Sequence, residues 1–224
     1  MRLAALVTGG KDSIYALYQA QQMGHSIDVL ATMIPERSDS YMFHFPNIHL
    51  TDIIAKALEI PLVKAPTCGI KEKELDDLKR LLASLDVDGV VTGAIASTYQ
   101  KERIDNMCNE LGIKSIAPLW HREPLKIMQE LVDLEFKVII VGVSAFGLDQ
   151  KWLGREINAE SLAELVELNR KYQISLVGEG GEYESLVLDA PIYKKRIEIV
   201  QSESSYENNC GVFVVKQAKL VDKT

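Results

Sequence analysis

The residues with the clearest chemical potential lie together in one short segment, Thr8–Ser13, which reads TGGKDS. The segment follows a compact apolar run and precedes apolar residues at helical spacing, so it is predicted to join a strand to a helix. The N-terminus of a helix presents free N–H groups and the positive end of the helix dipole to an anion. Gly9 and Gly10 carry no Cβ, so a phosphate can approach the main chain closely. We therefore interpret Thr8–Ser13 as a phosphate loop.

The side chains of the phosphate loop predict how it would treat the bound phosphates. Lys11 supplies a positive point charge, and Ser13 supplies a hydroxyl donor. Asp12 repels phosphate unless a cation lies between them, so its simplest use is to hold Mg²⁺. The loop has neither the GxxxxGKS/T spacing nor the GxGxxG dinucleotide fingerprint. The structural alternative is an ordinary glycine turn in which Asp12 or Ser13 caps the helix.

A second polar segment, Gly93–Arg103, follows another predicted strand and reads GAIASTYQKER. Gly93 would allow a ring or a phosphate to approach the main chain. Arg103 could clamp a phosphate or a carboxylate with two hydrogen bonds, and Gln100 could orient a carbonyl or ammonia. The alternative is a helix start with Arg103 and Gln100 on its surface.

A third segment, Gly178–Glu184, contains three glycines and three carboxylates in seven residues, and we call it the acidic loop. Glycines at this density indicate a tight, exposed backbone. The three carboxylates would attract a cation and repel a phosphate, so we predict that the acidic loop forms a cation-binding surface. The alternative is a solvated acidic turn.

The elements that must position these segments alternate in the first half of the chain. Short apolar runs predict strands, and helical patterns such as Leu75–Leu85 lie between them. Such an alternation predicts parallel βαβ units, whose ligand crevice lies beyond the carboxyl ends of the strands. The predicted strands are Leu3–Val7, Ile27–Met33, Leu62–Val63, Gly89–Thr92 and Lys114–Ala117.

The pattern changes after Trp120, which places a predicted domain boundary near residue 120 and gives domains 1–120 and 121–224. Pro124 suits the first turn of a helix running to about Glu135, and Asn158 could cap another helix. Polar and apolar residues alternate near the end of the chain, which is typical of antiparallel strands with one solvated face. The predicted strands of this half are Lys137–Val143, Arg196–Ile199 and Val212–Val215, with a loop over Ser144–Arg155.

Composition excludes several classes of protein. The 224 residues are 47% hydrophobic and 25% charged, as expected of a soluble globule. The net charge of -7 argues against a nucleic-acid partner, because phosphate-backbone binding leaves a basic excess. The longest later apolar run, Val138–Val143, is too short to cross a bilayer, so we expect no membrane partner. The three cysteines form no CxxC pair, which argues against a zinc ribbon or a redox dithiol and favours a cytoplasmic protein.

The phosphate loop resembles the SGGxDS pyrophosphate loop of the N-type ATP pyrophosphatases, with Thr8 keeping the hydroxyl of the usual serine. Three further segments narrow the resemblance to the diphthine–ammonia ligase (diphthamide synthetase) family. They are Gly93–Arg103, the acidic loop with its continuation through Ser185 to Pro191, and Ser40–His44. The resemblance spans essentially the whole chain, and the acidic loop is the specific match because other N-type pyrophosphatases lack it.

The resemblance implies a fold and an activity. The fold would be a five-stranded parallel, Rossmann-like sheet of the adenine-nucleotide hydrolase type with a smaller C-terminal α+β domain. With ATP and Mg²⁺, the enzyme would adenylate the carboxylate of diphthine on translation elongation factor 2. Ammonium would then supply the nitrogen of diphthamide, with AMP and pyrophosphate as the other products. The resemblance leaves the oligomeric state open, a homodimer included.

The resemblance also implies roles for individual residues. The catalytic set would be Lys11, Asp12, Ser13, Gln100 and Arg103, with Asp12 also holding the metal. Nucleotide binding would use Val7, Thr8, Gly9, Gly10, Lys11, Asp12, Ser13, Met33 and Gly93. Substrate binding would use Tyr41, His44, Tyr99, Gln100, Glu179, Gly180, Gly181, Glu182, Tyr183 and Glu184.

Two other functions remain open at this point. A tRNA-modifying enzyme could use the same adenylation step, but it predicts a basic face, and thiolation usually predicts catalytic cysteines. A non-catalytic adenine-nucleotide sensor resembling universal stress proteins would need neither the Lys-Asp-Ser set nor the second domain. Counting AMP and pyrophosphate in the presence of each acceptor separates these functions.

Overall fold

The five strands predicted in the first half form one parallel sheet in the computed structural model of the chain, which describes residues 1–35, 46–68 and 73–223. The order across the sheet is β3-β2-β1-β4-β5, and every neighbouring pair is parallel. This confirms the predicted α/β fold class. The strands are β1 (Arg2–Leu6), β2 (Ser26–Pro35), β3 (Leu62–Thr67), β4 (Gly89–Val91) and β5 (Lys114–Ile116).

Helices cover both faces of this sheet. Leu3 and Ala5 of β1 pack in a core with α1 and α2, whereas Ala4 points into a second core with α3 and α4. Successive side chains of a strand point to opposite faces, so a strand buried on both faces is apolar throughout. The helices are α1 (Lys11–Gln22), α2 (Thr51–Leu58), α3 (Lys73–Ala83) and α4 (Thr98–Leu111).

The strand order places a crevice between β1 and β4. The chain leaves β1 toward β2 on one side, and β4 lies on the other side of β1. The connections that follow these two strands therefore diverge at their carboxyl ends, which is where ligands bind in open α/β sheets. The phosphate loop follows β1 and Gly93–Arg103 follows β4, so the topology brings both segments to this crevice.

The second half forms an antiparallel sheet of order β7-β6-β9-β8. Its helices are α5 (Pro124–Asp133), with Pro124 in the first turn, and α6 (Ala159–Tyr172), whose N-cap Asn158 accepts a 3.0 Å hydrogen bond from the Ser161 amide. Both helix starts agree with the prediction. The strands are β6 (Lys137–Val143), β7 (Tyr183–Asp189), β8 (Lys195–Glu207) and β9 (Cys210–Asp222).

Two features of the second sheet differ from the sequence prediction. Strand β7 was not predicted, because the glycine-rich acidic loop leads directly into it. The last two strands form a hairpin of 13 residues a side, longer than predicted. Its turn residues Asn208 and Asn209 have φ values of 52° and 61°, which suits a tight hairpin turn. The second half of β8 is polar and exposed, so a search for apolar runs does not detect it as part of a strand.

The two halves pack through one continuous core, in which Ile14 and Ile54 meet residues such as Ile140 and Leu186. Strand β7 lies beside the phosphate loop, where the Val187 amide donates a 2.9 Å hydrogen bond to the Gly9 carbonyl. None of the described helices combines the length and the apolar character that a bilayer crossing requires.

Candidate active site

A pocket that is partly open to solvent lies at the carboxyl ends of β1 and β4 and extends to β7. The phosphate loop, the segment after β4 and the acidic loop, which are far apart in the sequence, all contribute to its wall. The lining residues are Leu6, Thr8, Gly10, Lys11, Asp12, Ser13, Thr92, Gly93, Ala94, Gln100, Ile104, Val177, Gly178, Tyr183, Glu184 and Ser185.

The phosphate loop ends at the N-terminus of α1, where Gly10 is the N-cap and no side chain of the loop itself caps the helix. The alternative in which Asp12 or Ser13 caps the helix is therefore wrong. The Ser13 hydroxyl instead donates a 3.0 Å hydrogen bond back to the Gly10 carbonyl. Gly9 has φ +89°, a conformation that favours glycine. No side chain of the phosphate loop thus occupies the first N–H groups of α1, an arrangement that suits an anion.

Gly93 permits the end of β4 to pack directly against this first turn. A Cβ at Gly93 would lie 2.7 Å from the Asp12 carbonyl carbon and 2.8 Å from the Ser13 nitrogen. Both contacts are with main chain, which cannot swing away as a flexible side chain could. The close approach that the sequence predicted at Gly93 is thus made by the main chain of α1, and an approach by nucleotide stays a prediction.

Lys11 is buried and joins the two halves of the molecule. Its Nζ donates to Asp12 Oδ2 at 3.0 Å and also to the Val177 carbonyl, and it lies 5.1 Å from the centre of the Tyr183 ring. Burial lowers the pKa of Lys11, but the Asp12 carboxylate and the Tyr183 ring outweigh burial and raise that pKa above its ordinary value. The Lys11 ammonium therefore stays charged at neutral pH.

Asp12 offers one carboxylate oxygen to a ligand. Its Oδ1 is buried and has no hydrogen-bond partner among the described residues, and burial raises the pKa of Asp12 although Lys11 lowers it. An orphaned carboxylate oxygen beside a phosphate loop fits Mg²⁺. Within residues 1–35, 46–68 and 73–223 no cluster of three or more His, Cys, Asp or Glu could hold a metal ion.

Two of the three carboxylates in the acidic loop accept hydrogen bonds from main-chain amides. Glu179 Oε1 accepts hydrogen bonds from the amides of Ala96 at 2.6 Å and Ser97 at 2.8 Å, which ties the loop to the start of α4. Glu182 accepts from the Ser175 amide at 2.8 Å and from the Gly180 amide at 2.9 Å. These bonds fix the shape of the loop.

The third carboxylate, Glu184, differs from the other two. It lines the pocket, and it makes no hydrogen bond or ion pair with any residue that the structure describes. Burial raises the pKa of Glu184 to about 7; Lys11 opposes this rise and Asp12 adds to it. Its neighbour Tyr183 is buried, and the Tyr183 hydroxyl donates a 2.6 Å hydrogen bond to the Leu176 carbonyl.

The other predicted site residues lie at varied distances from the pocket. Gln100 lines the pocket, and the Arg103 guanidinium stacks on the Tyr99 ring at 3.5 Å. The side chains of Val7 and Met33 are buried in the two cores. Gly180 and Gly181 are exposed in the acidic loop, and the predicted residues Tyr41 and His44 lie outside the described residues.

The sequence prediction assigned no role to Ser185, which the structure places at the phosphate loop. Ser185 Oγ accepts a 3.1 Å hydrogen bond from the Lys11 amide, one of the first N–H groups of α1. Thr92 and Val177 also line the pocket without having been predicted. If Tyr183–Asp189 had been recognised as a strand beside the phosphate loop, Ser185 could have been predicted as a residue of the site.

Comparisons with known proteins match most of this chain. Residues 1–115 match the family model of the diphthamide synthase N-terminal domain, and residues 123–221 match that of the C-terminal domain. The diphthine–ammonia ligase of Mus musculus is 37% identical over 227 residues, which cover 91% of this chain and 85% of the mouse protein. The diphthine–ammonia ligase of Homo sapiens is 35% identical, covering 91% of this chain and 84% of the human protein.

A solved structure was also matched. The predicted subunit of tRNA methyltransferase from Methanocaldococcus jannaschii has a TM-score of 0.46 and 15% sequence identity, covering 85% of this chain and 98% of that chain.

Proposed function

The chain belongs to the diphthamide synthase family, and we propose on that premise that it is a diphthine–ammonia ligase. It would use ATP to convert the carboxylate of diphthine on translation elongation factor 2 into an amide, with ammonium as the nitrogen source. Because the substrate is a translation factor, the reaction would take place in the cytoplasm.

One observation carries the proposal at the level of chemistry. An uncapped helix N-terminus, a buried lysine and an acidic loop face a single pocket. The first two features suit the phosphates of a nucleotide, whereas the negative charge of the acidic loop favours the approach of a cationic substrate such as diphthine. A pocket with both characters can hold a nucleotide and a cationic carboxylic acid together.

In the first step the diphthine carboxylate attacks the α-phosphorus of ATP and pyrophosphate leaves. Negative charge grows on the leaving pyrophosphate, and the first N–H groups of α1 and the Lys11 ammonium would stabilise it. Thr8 and Ser13 shape the loop that presents these groups. Mg²⁺ would offset phosphate charge when bound, and Asp12 Oδ1 is the protein oxygen that would hold it.

In the second step ammonia attacks the acyl adenylate and AMP leaves. The pocket would contribute mainly by positioning, because no nucleophilic side chain is needed. Gln100 lies in the pocket wall and would orient the acyl group or the incoming nitrogen. Arg103, whose guanidinium stacks on the Tyr99 ring, and the exposed face of the acidic loop would meet the protein substrate.

The experiment is incubation with ATP, ammonium and elongation factor 2 that carries diphthine, followed by mass spectrometry for the acid-to-amide change and quantification of nucleotide products. We expect amide, AMP and pyrophosphate in equal amounts. Modification of tRNA but not of the elongation factor would favour the tRNA-modifying alternative. Binding of ATP without turnover would favour a nucleotide sensor.

A further inference from the structure

A second pocket adjoins the candidate active site and meets it at Glu184. It lies on the antiparallel sheet, between the ends of β6 and β7 and the tip of the β8–β9 hairpin, and it is widely open to solvent. Its polar lining residues include Ser144, Ser205, Glu207 and Cys210. Glu184 is the carboxylate that lines both pockets among the described residues.

The backbone around Glu184 makes room for its side chain. Glu184 lies opposite Gly142 in the antiparallel pairing of β6 and β7. A Cβ at Gly142 would lie only 3.1 Å from Glu184 Cβ and 3.3 Å from Glu184 Cγ. A larger residue at 142 would therefore crowd the stem of Glu184 and move its carboxylate from the junction of the pockets.

The carboxylate of Glu184 is available to a ligand, whereas those of Glu179 and Glu182 in the same loop already accept main-chain hydrogen bonds. A partly buried carboxylate without a partner among the described residues, reached by solvent from a second opening, suits a small hydrated cation. From this geometry we infer that Glu184 binds ammonium and accepts its proton during amide formation. The inference rests on the proposed ligase function, and it assigns the proton acceptor for that reaction.

Protons and electron pairs balance across this step. Ammonium transfers one proton to the Glu184 carboxylate, and the lone pair of the nitrogen forms a C–N bond with the carbonyl carbon of the acyl adenylate. The bond between that carbon and the phosphate oxygen breaks, and the oxygen leaves with its electron pair as part of AMP. A second proton passes from the nitrogen to the departing phosphate, which leaves a neutral amide, AMP and a protonated Glu184.

Ammonium fits Glu184 better than the quaternary ammonium of diphthine does. A quaternary ammonium has no N–H, so it can neither donate a hydrogen bond to a carboxylate nor give it a proton. Such a cation prefers an aromatic face. The ring of Tyr183, which neighbours Glu184 in the active-site pocket, already lies next to the Lys11 ammonium.

The charges around Glu184 suit a proton acceptor near neutral pH. Burial raises the pKa of Glu184 to about 7, Lys11 lowers it and Asp12 raises it, and a base works best when its pKa lies near the working pH. The titratable groups that line the two pockets with Glu184 are Lys11, Asp12, Tyr183, Tyr206, Glu207 and Cys210.

The test measures the two half-reactions separately in the wild-type enzyme, in Glu184→Gln and in a control, Glu203→Gln. Glu203 lies on β8 outside both pockets, where its carboxylate pairs with Lys216 at 3.2 Å. Adenylation is measured as ATP–pyrophosphate exchange with diphthine-bearing elongation factor 2 and no ammonium. Amide formation is then measured with ammonium and, separately, hydroxamate formation with hydroxylamine, a nucleophile that is uncharged at neutral pH.

We expect Glu184→Gln to reduce ammonium-dependent amide formation by about 100-fold and to raise the KM for ammonium. Pyrophosphate exchange and hydroxamate formation should stay close to the wild-type rates, because neither needs a proton taken from ammonium. Glu203→Gln should match the wild type in all three assays. In the wild type, the amide rate at fixed total ammonium should level off above the pKa of Glu184, near pH 7.

Three results would overturn the inference. The first is an unchanged rate of amide formation in Glu184→Gln. The second is an equal loss of pyrophosphate exchange, hydroxamate formation and amide formation in that variant, which would place Glu184 in nucleotide or diphthine binding. The third is a rate of amide formation in the wild-type enzyme that keeps rising with the concentration of free ammonia well above pH 7. A wild-type enzyme that forms no amide at all would instead contradict the proposed function, and this inference would fail with it.

Discussion

The phosphate loop and the acidic loop are both glycine-rich, and both face the same pocket, yet they use their polar groups in opposite ways. The phosphate loop ends in a helix start without a side-chain cap, and Asp12 Oδ1 has no partner among the described residues. In the acidic loop, Glu179 and Glu182 accept four hydrogen bonds from main-chain amides. The first loop leaves a carboxylate oxygen without a partner among the described residues, whereas Glu179 and Glu182 of the second loop hold that loop in shape.

This difference shows that a charged residue in a glycine-rich segment is not by itself a binding group. The structure separates the three carboxylates of the acidic loop by what they touch, and Glu184 is the one whose carboxylate accepts no hydrogen bond from a described residue. A substitution in the phosphate loop should therefore change turnover more than stability, and a substitution of Glu182 should do the reverse.

The largest effect is expected from Lys11→Met, which removes the buried positive charge of the phosphate loop. Turnover should fall by about 10²–10³-fold, the usual loss when one electrostatic contact to a developing charge is removed. Pyrophosphate release in the presence of diphthine-bearing substrate is the measurement. The double variant Lys11→Met with Asp12→Asn is the control, because it removes both members of the pair and leaves no uncompensated buried charge. Recovery of activity in the double variant would show that the charge of Lys11 is not needed.

The next effect is expected from Glu182→Ala, which should destabilise the fold and affect diphthine binding only through the shape of the loop. Two main-chain amides lose a charged acceptor, so the free energy of unfolding should fall by about 1–3 kcal/mol. Urea denaturation measures this change. Unchanged stability together with a large loss of diphthine affinity would show that Glu182 binds substrate directly.

A pH-dependent effect is expected from Glu184→Gln. The folded pKa of Glu184 is about 7, above its ordinary value of 4.5, so the folded state binds more protons than the unfolded state between those values. Ionisation of Glu184 therefore reduces stability as pH rises from 4.5 to 7, and the neutral variant should be more stable at pH 8 by about 1–2 kcal/mol. Urea denaturation at pH 4 and pH 8 measures the difference. An advantage of the same size at both pH values would contradict the assignment.

The smallest effect is expected from Ser185→Ala, which removes the hydroxyl that accepts the Lys11 amide hydrogen bond. The free energy of unfolding should fall by about 0.5–1.5 kcal/mol. Thermal unfolding with and without ATP is the measurement. A nucleotide that takes over the Lys11 amide should reduce the difference between variant and wild type. An equal difference under both conditions would show that the amide keeps its protein partner when nucleotide binds.

Much of the fold was predictable because its signals are local. All five strands of the first sheet were predicted. Strand β4 is buried along its whole length and apolar, as expected of a parallel strand covered on both faces, whereas the edge strands β3 and β5 are only partly buried. The hairpin of β8 and β9 was only partly found, because the outer half of β8 is polar and exposed. Strand β7 was not predicted, and for that reason the contact of Ser185 with the phosphate loop was not predicted either.

The site was predictable in its residue types but not in its contacts. The phosphate loop could be located because a glycine pair between a strand and a helix is typical of a helix start that binds an anion. Lys11 donates a hydrogen bond to the Val177 carbonyl, and Glu179 accepts hydrogen bonds from the amides of Ala96 and Ser97. These contacts join segments that lie more than 80 residues apart in the sequence. Such contacts leave no pattern in a single sequence.

The central claim is that the pocket transfers the α-phosphorus of ATP to the acyl oxygen of diphthine. The most direct measurement uses elongation factor 2 whose diphthine carboxylate carries a heavy-oxygen label, with ATP and ammonium, and mass spectrometry of the released nucleotide. The account predicts that one labelled oxygen appears in AMP, with unlabelled pyrophosphate and an amidated protein. Label in orthophosphate, with ADP as the nucleotide product, would contradict it.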